Sequence, residues 1–263
     1  MTSPDSEKRS RPRWLIPIIA IALILALIVV VVVCVHHPKK DHTVKDAVTN
    51  SRDVNRADLP YEFNYGYWKF VLNTPVFEPE GETRPTLPQL VPHTKWTTPE
   101  PGEAIPLPLT PIFVVLEKMT LAQISSSDGP TKAINGVYAG YAHTTTGAVL
   151  AAINSEAAML SCSHTQNEAT SRFLGEAFTT PCKELDDPYV TIPLYVRIVD
   201  VKDNILGIQM VFDRTGDDAY SVDTTAVAWK NNDWVATPSR INTTTKYVPK
   251  DKLDLSQWVE WSK

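Results

Sequence analysis

An uninterrupted run without a charged side chain, from Trp14 to Val35, constrains this chain more than any other feature. At about 1.5 Å per residue it reaches roughly 33 Å as a helix, enough to cross the hydrocarbon core of a bilayer. Lys8, Arg9, Arg11 and Arg13 crowd its N-terminal side, and an excess of basic residues on the first flank retains that flank in the cytoplasm. The contrast is modest, because Lys39, Lys40 and Lys45 follow on the other side. The run is longer than the apolar core of a cleaved leader and ends in Val31-Val32-Val33-Cys34-Val35 rather than in small residues, which favours an uncleaved anchor. The expected topology is a cytoplasmic tail over residues 1–13, a membrane helix over 14–35 and an extracytoplasmic remainder at the cell membrane. The lipid bilayer is thus the first partner. Cys34 reads as a small apolar side chain at the membrane edge.

Residues 36–60 are polar and charged, as suits a solvated tether. His36, His37 and His42 lie in that tether with no thiol or carboxylate at ligand spacing, so no metal is expected there. Residues 61–111 form an aromatic and Pro-rich extended segment. Phe63, Tyr65 and Tyr67 alternate like a strand, whereas the prolines from Pro75 to Pro111 come too often for a helix or a central strand to persist. A strap on the domain surface is the expectation for this piece. The formal charge of −5 and a pI near 5.7 give no electrostatic reason to seek nucleic acid.

Residues 112–263 read as one α+β domain. Ile112 to Leu116 suits a short strand, and Ser125 to Pro130 a turn. A helix capped among Thr144, Thr145 and Thr146 runs to Leu160, apolar enough to be buried on more than one side. Thr165 with Glu168 forms a capping box for a second helix, which Pro181 stops. The period then alternates. Ile192, Leu194, Val196 and Ile198 mark one strand and Leu206, Ile208, Met210 and Phe212 the next, with Asn231-Asn232-Asp233 turning a later hairpin.

Candidate chemistry is sparse. Cys162 and Cys182 share the outer domain and bracket the second helix, and an oxidising compartment favours a disulfide between them over two buried thiols. His143 stands at the helix entry, where it can act as a base or as a packing residue. Ser127 to Lys132 lacks the glycines and the Gly-Lys-Ser/Thr ending of a phosphate loop, and no G-x-S-x-G, H-E-x-x-H or paired C-x-x-C occurs. Asp200, Asp213 and Asp223 are expected to face water. No catalytic, cofactor-binding or metal-binding residue is therefore assigned, and no cofactor is expected.

Gly140-Tyr141-Ala142-His143-Thr144 leading into Gly147-Ala148-Val149-Leu150-Ala151-Ala152, with Gly129-Pro130 before it and Val227 to Val235 at the hairpin, resembles an actinobacterial family of single-span proteins of unknown function associated with mobile or conjugative elements. The likeness covers roughly Leu107 to Pro238. It implies a nuclear-transport-factor-like cone, with helices packed on a curved antiparallel sheet, like the outer domains of type IV secretion assembly subunits. The implied role is a non-enzymatic scaffold or assembly component that contacts other envelope proteins, with oligomers left open. The alternative is a small-ligand-binding or isomerase-like cone, since fold does not dictate function.

Overall fold

The computed structural model describes residues 48–49, 63, 65–71, 74–81, 83–90, 96–116, 120–161, 165, 167–169, 171, 192–213, 218–237 and 245–261. They belong to a unit that spans Thr43–Lys263. A first sheet runs β1 (Val48–Thr49), β2 (Tyr67–Val71), β3 (Thr74–Glu78), β4 (Ile112–Val115) and β5 (Leu121–Ile124) in that spatial order. Its pairings are antiparallel except β3 with β4. Parallel neighbours need a long crossover rather than a tight turn, and the Pro-rich strap between Glu78 and Ile112 supplies it, with no helix among its described residues. Buried Leu87 and Ile105 fasten the strap to the core. Tyr138 Oη donates to Pro85 O at 3.0 Å, and Thr146 Oγ1 donates to Pro106 O at 2.7 Å.

A short hairpin of β6 (Lys132–Ile134) and β7 (Val137–Ala139) leads to helix α1 (Thr145–Leu160). The second sheet follows, with β8 (Tyr195–Lys202), β9 (Ile205–Asp213), β10 (Ala219–Lys230) and β11 (Asp233–Ala236) as an antiparallel meander. β12 (Lys246–Pro249) also pairs β10, while β13 (Val259–Glu260) pairs β8. α1 packs against β5 of the first sheet and against β9, β10 and β11 of the second. That double contact explains why Ala148 to Ile153 are all buried, with no polar face among them. One core holds Val114 and Ile124, Leu150 and Ile153, and Ile208 and Val227, from the first sheet, the helix and the second sheet in turn.

The expected cone does not form. Among the described residues the fold is predominantly β, with a helix held between two sheets instead of helices packed on one curved sheet. The sheet the sequence reading missed comes largely from the segment read as extended. Pro75 was the misleading signal, since a proline cannot donate to a central ladder. β4 pairs only Val76 and Phe77 of β3, so Pro75 lies past the end of that pairing and gives up no bond there. The boundary expected at residue 112 is not an edge of the folded unit, because β4 continues the sheet that β2 and β3 begin. No helix among the described residues is long and apolar enough to cross a membrane. The membrane helix expected over 14–35 lies outside the described residues, as do Cys162 and Cys182. Thr165, Asn167, Glu168, Ala169 and Ser171 are helical, and the rest of the expected second helix also lies outside them.

Candidate functional site

Three segments far apart in the chain meet at the entry to α1: the turn Ser125 to Pro130, the loop Gly140 to Thr144, and the hairpin of β10 and β11. The turn forms as expected, and Ser125, Ser126, Ser127 and Asp128 in it are all buried. A buried turn must satisfy its polar groups internally, and this one does. Ser125 Oγ accepts from Asp128 N at 2.9 Å and from Ser127 N at 3.3 Å. Ser127 Oγ donates to Asp128 Oδ2 at 2.5 Å.

Gly140, Tyr141, Ala142 and Thr144 of the loop then each find a hydrogen-bond partner. Asp233 closes the two-residue turn at Asn231 and Asn232, both at positive φ, and this places its carboxylate under the loop. Gly140 N donates to Asp233 Oδ2 and Tyr141 N to Asp233 Oδ1, each at 2.9 Å. Tyr141 Oη accepts from Asn154 Nδ2 at 2.9 Å, and Ala142 N donates to Asp128 O at 3.1 Å. Thr144 Oγ1 donates to Asp128 Oδ1 at 2.5 Å while accepting from Gly147 N at 2.9 Å, which is the N-cap of α1. Two glycines make this closure feasible. Gly140 has φ of 78°, and a Cβ there would lie 2.1 Å from Thr131 Oγ1. A Cβ at Gly147 would lie 2.2 Å from Ala142 O.

His143 is the residue this scaffold presents. Its imidazole stacks on Trp229 of β10, centroids 3.9 Å apart and planes within 5°, and on Trp96 of the strap at 4.5 Å and 10°. Trp234 of β11 meets it edge-on at 5.5 Å. Burial lowers the imidazole's pKa from its ordinary value, so the ring is neutral at physiological pH. Its Nε2 is closed off from solvent and finds no hydrogen-bond partner among the described residues. A general base needs an orienting acceptor and a proton within reach. The carboxylates nearest in the network, Asp128 and Asp233, hold backbone N–H groups and hydroxyls instead.

A family model described as "Domain of unknown function (DUF8175)" matches residues 79–260. The chain belongs to this family. The matched span takes in the strap, both carboxylates, the loop and the hairpin, so the whole site lies within the family domain. No curated protein and no solved structure matches the chain.

A second polar cluster lies farther along α1. Burial pushes the Glu156 carboxyl well above the usual carboxylate range, and Asp223 adds to this through its charge and a hydrogen bond. Glu156 keeps part of its surface in solvent, but its Oε2 is sealed and unpartnered. Asp223 is 8% exposed and accepts from Ser221 Oγ at 3.1 Å. The expectation that Asp223 faces water is therefore wrong. Alternation along β10 puts residues 221, 223, 225 and 227 on the face towards α1, and Asp223 lies within the strand rather than at its end. Glu156 was missed altogether, although a lone acid in an apolar helix was a signal available to sequence reading. No group of three or more metal-ligating side chains occurs among the described residues.

Proposed function

We propose that this is a membrane-anchored, extracytoplasmic scaffold domain that works through contacts with other envelope proteins, in a transfer or secretion apparatus of the kind its motifs resemble. One observation carries the reading. At the point where the family's separated segments converge, Asp128 and Asp233 take up the loop's N–H and hydroxyl groups, and the imidazole the loop presents lies between two indoles. Such a site gives a rigid, pre-organised surface at low entropic cost to a partner. The test is complementation of a deletion strain. A chain carrying His143→Gln should restore transfer or secretion to near the natural level at unchanged membrane abundance. A folded, membrane-resident but inactive His143→Gln chain would contradict the scaffold.

A ligand-binding or enzymatic domain is the second reading, and Glu156 beside Asp223 favours it, because a carboxyl raised by burial next to a second acid is acid–base machinery in other settings. Glu156→Gln separates the two readings. It should leave function intact in a scaffold and abolish it in an enzyme that uses the pair.

A further inference from the structure

Large apolar side chains that stand in water are few among the described residues, and three of the six belong to the strap: Leu90 at 71% exposure, Leu107 at 46% and Leu109 at 51%. They are held out rigidly. Leu90 N donates to Ser126 O at 2.8 Å, Ser126 N donates to Leu109 O at 3.0 Å, and Leu109 N donates to Ser127 Oγ at 3.0 Å. Both strap passes are therefore bonded to the same buried turn, Ser125 to Asp128. Pro108 is buried between exposed Leu107 and Leu109, so extended alternation directs both leucines outward. The flanking sequence carries no charge from Pro85 to Pro92 or from Ala104 to Leu116. An uncharged surface loses little on leaving water.

We infer that Leu90, Leu107 and Leu109 form the face that the domain lays on the bilayer interface. The occupant follows from size and from reach. The three side chains expose roughly 300 Å², far below the about 800 Å² per partner that a stable protein interface buries, so a second copy fits poorly. A chain already held at the membrane needs only a small added apolar contact, because tethering makes that contact intramolecular. Residues 36–47, which separate the apolar run from β1, reach about 40 Å at full extension, which keeps the bilayer within range. The inference rests on the anchored topology proposed above.

The experiment uses the full chain in lipid nanodiscs, with leucine and isoleucine methyl groups isotopically labelled and a paramagnetic lipid added. The methyl signals of Leu90, Leu107 and Leu109 should lose more than half their intensity. Ile134 on β6, 43% exposed, should keep most of its own. Replacing the leucines by Leu90→Ser, Leu107→Ser and Leu109→Ser removes no core contact and should raise protease cleavage of the strap in proteoliposomes to the rate seen in detergent. Equal broadening at Ile134, or none at the leucines while the chain resists extraction at high pH, would overturn the membrane face and leave the anchor standing. Leucine broadening that grows with protein concentration in detergent alone would overturn it in favour of a second copy. Release of the chain from vesicles at high pH would remove the anchor, and with it the tether on which this face depends.

Discussion

Asn154 and Glu156 stand two residues apart on α1, yet the first meets one sheet, the second meets the other, and the chemistry differs. The Asn154 amide accepts from Gln123 N at 2.6 Å and donates to Gln123 O at 2.8 Å, so it occupies the free edge of β5 as a neighbouring strand's peptide would. Trp261 Nε1 completes that seam by donating to Gln123 Oε1 at 2.6 Å. All its members are neutral. On the other side Glu156 faces Asp223, and burial with that neighbouring acid pushes the Glu156 carboxyl well above the usual carboxylate range. A matched amide closes a sheet edge at any pH, whereas a carboxyl raised by burial makes its side of the helix sensitive to pH.

The largest expected effect breaks the neutral seam. Asn154→Leu keeps the branched shape but strands the buried N–H and C=O of Gln123, and should cost about 3 to 5 kcal/mol. Urea unfolding at several pH values should show the same loss throughout. A loss that varied with pH would tie this seam to a titrating group and erase the contrast.

Asp233→Ala tests whether a carboxylate matched to N–H donors behaves like the amide or like the acid pair. It leaves the Gly140 and Tyr141 amides without their acceptor and should cost about 2 to 3 kcal/mol, with slower local closure visible as faster hydrogen exchange at those two amides. Unchanged exchange there would mean that the loop is held by something other than Asp233.

Glu156→Gln should act in the opposite direction. A carboxyl whose folded pKa exceeds its unfolded one binds more protons when folded, so its stabilisation is complete below the ordinary value near 4.5 and is lost as pH rises towards the folded value. The amide variant cannot ionise. It should match the natural chain in acid and exceed it increasingly as pH rises towards neutral, which thermal unfolding across that range would reveal. The smallest effect belongs to His143→Gln, which trades ring stacking for a flexible amide and should cost at most about 1 to 2 kcal/mol.

These seams also mark how far the sequence could be read. The start of α1 was legible because Thr144 and the apolar run after it are local signals, and the hairpin at Asn231 and Asn232 was legible because left-handed turn residues announce themselves. The first sheet was not, because its parallel pairing depends on a strap whose prolines argue against strands. Asp128 and Asp233 gained no role from sequence, since each acts on a loop distant in the chain, and nothing local distinguishes a carboxylate that caps a loop from one that faces water. Trp96 was likewise unremarked, because only the closed strap sets it against His143.

The charge state of Glu156 is open to direct observation. Carbon-13 NMR of the chain with labelled glutamate, assigned by loss of one carboxyl signal in Glu156→Gln, follows that group through a pH titration. The structure predicts a carboxyl signal whose midpoint lies well above the ordinary glutamate range and moves down when the neighbouring charge is removed by Asp223→Asn. A Glu156 signal that titrates near the ordinary value of 4.5, unmoved by Asp223→Asn, would contradict the raised carboxyl and with it the difference between the two sides of α1.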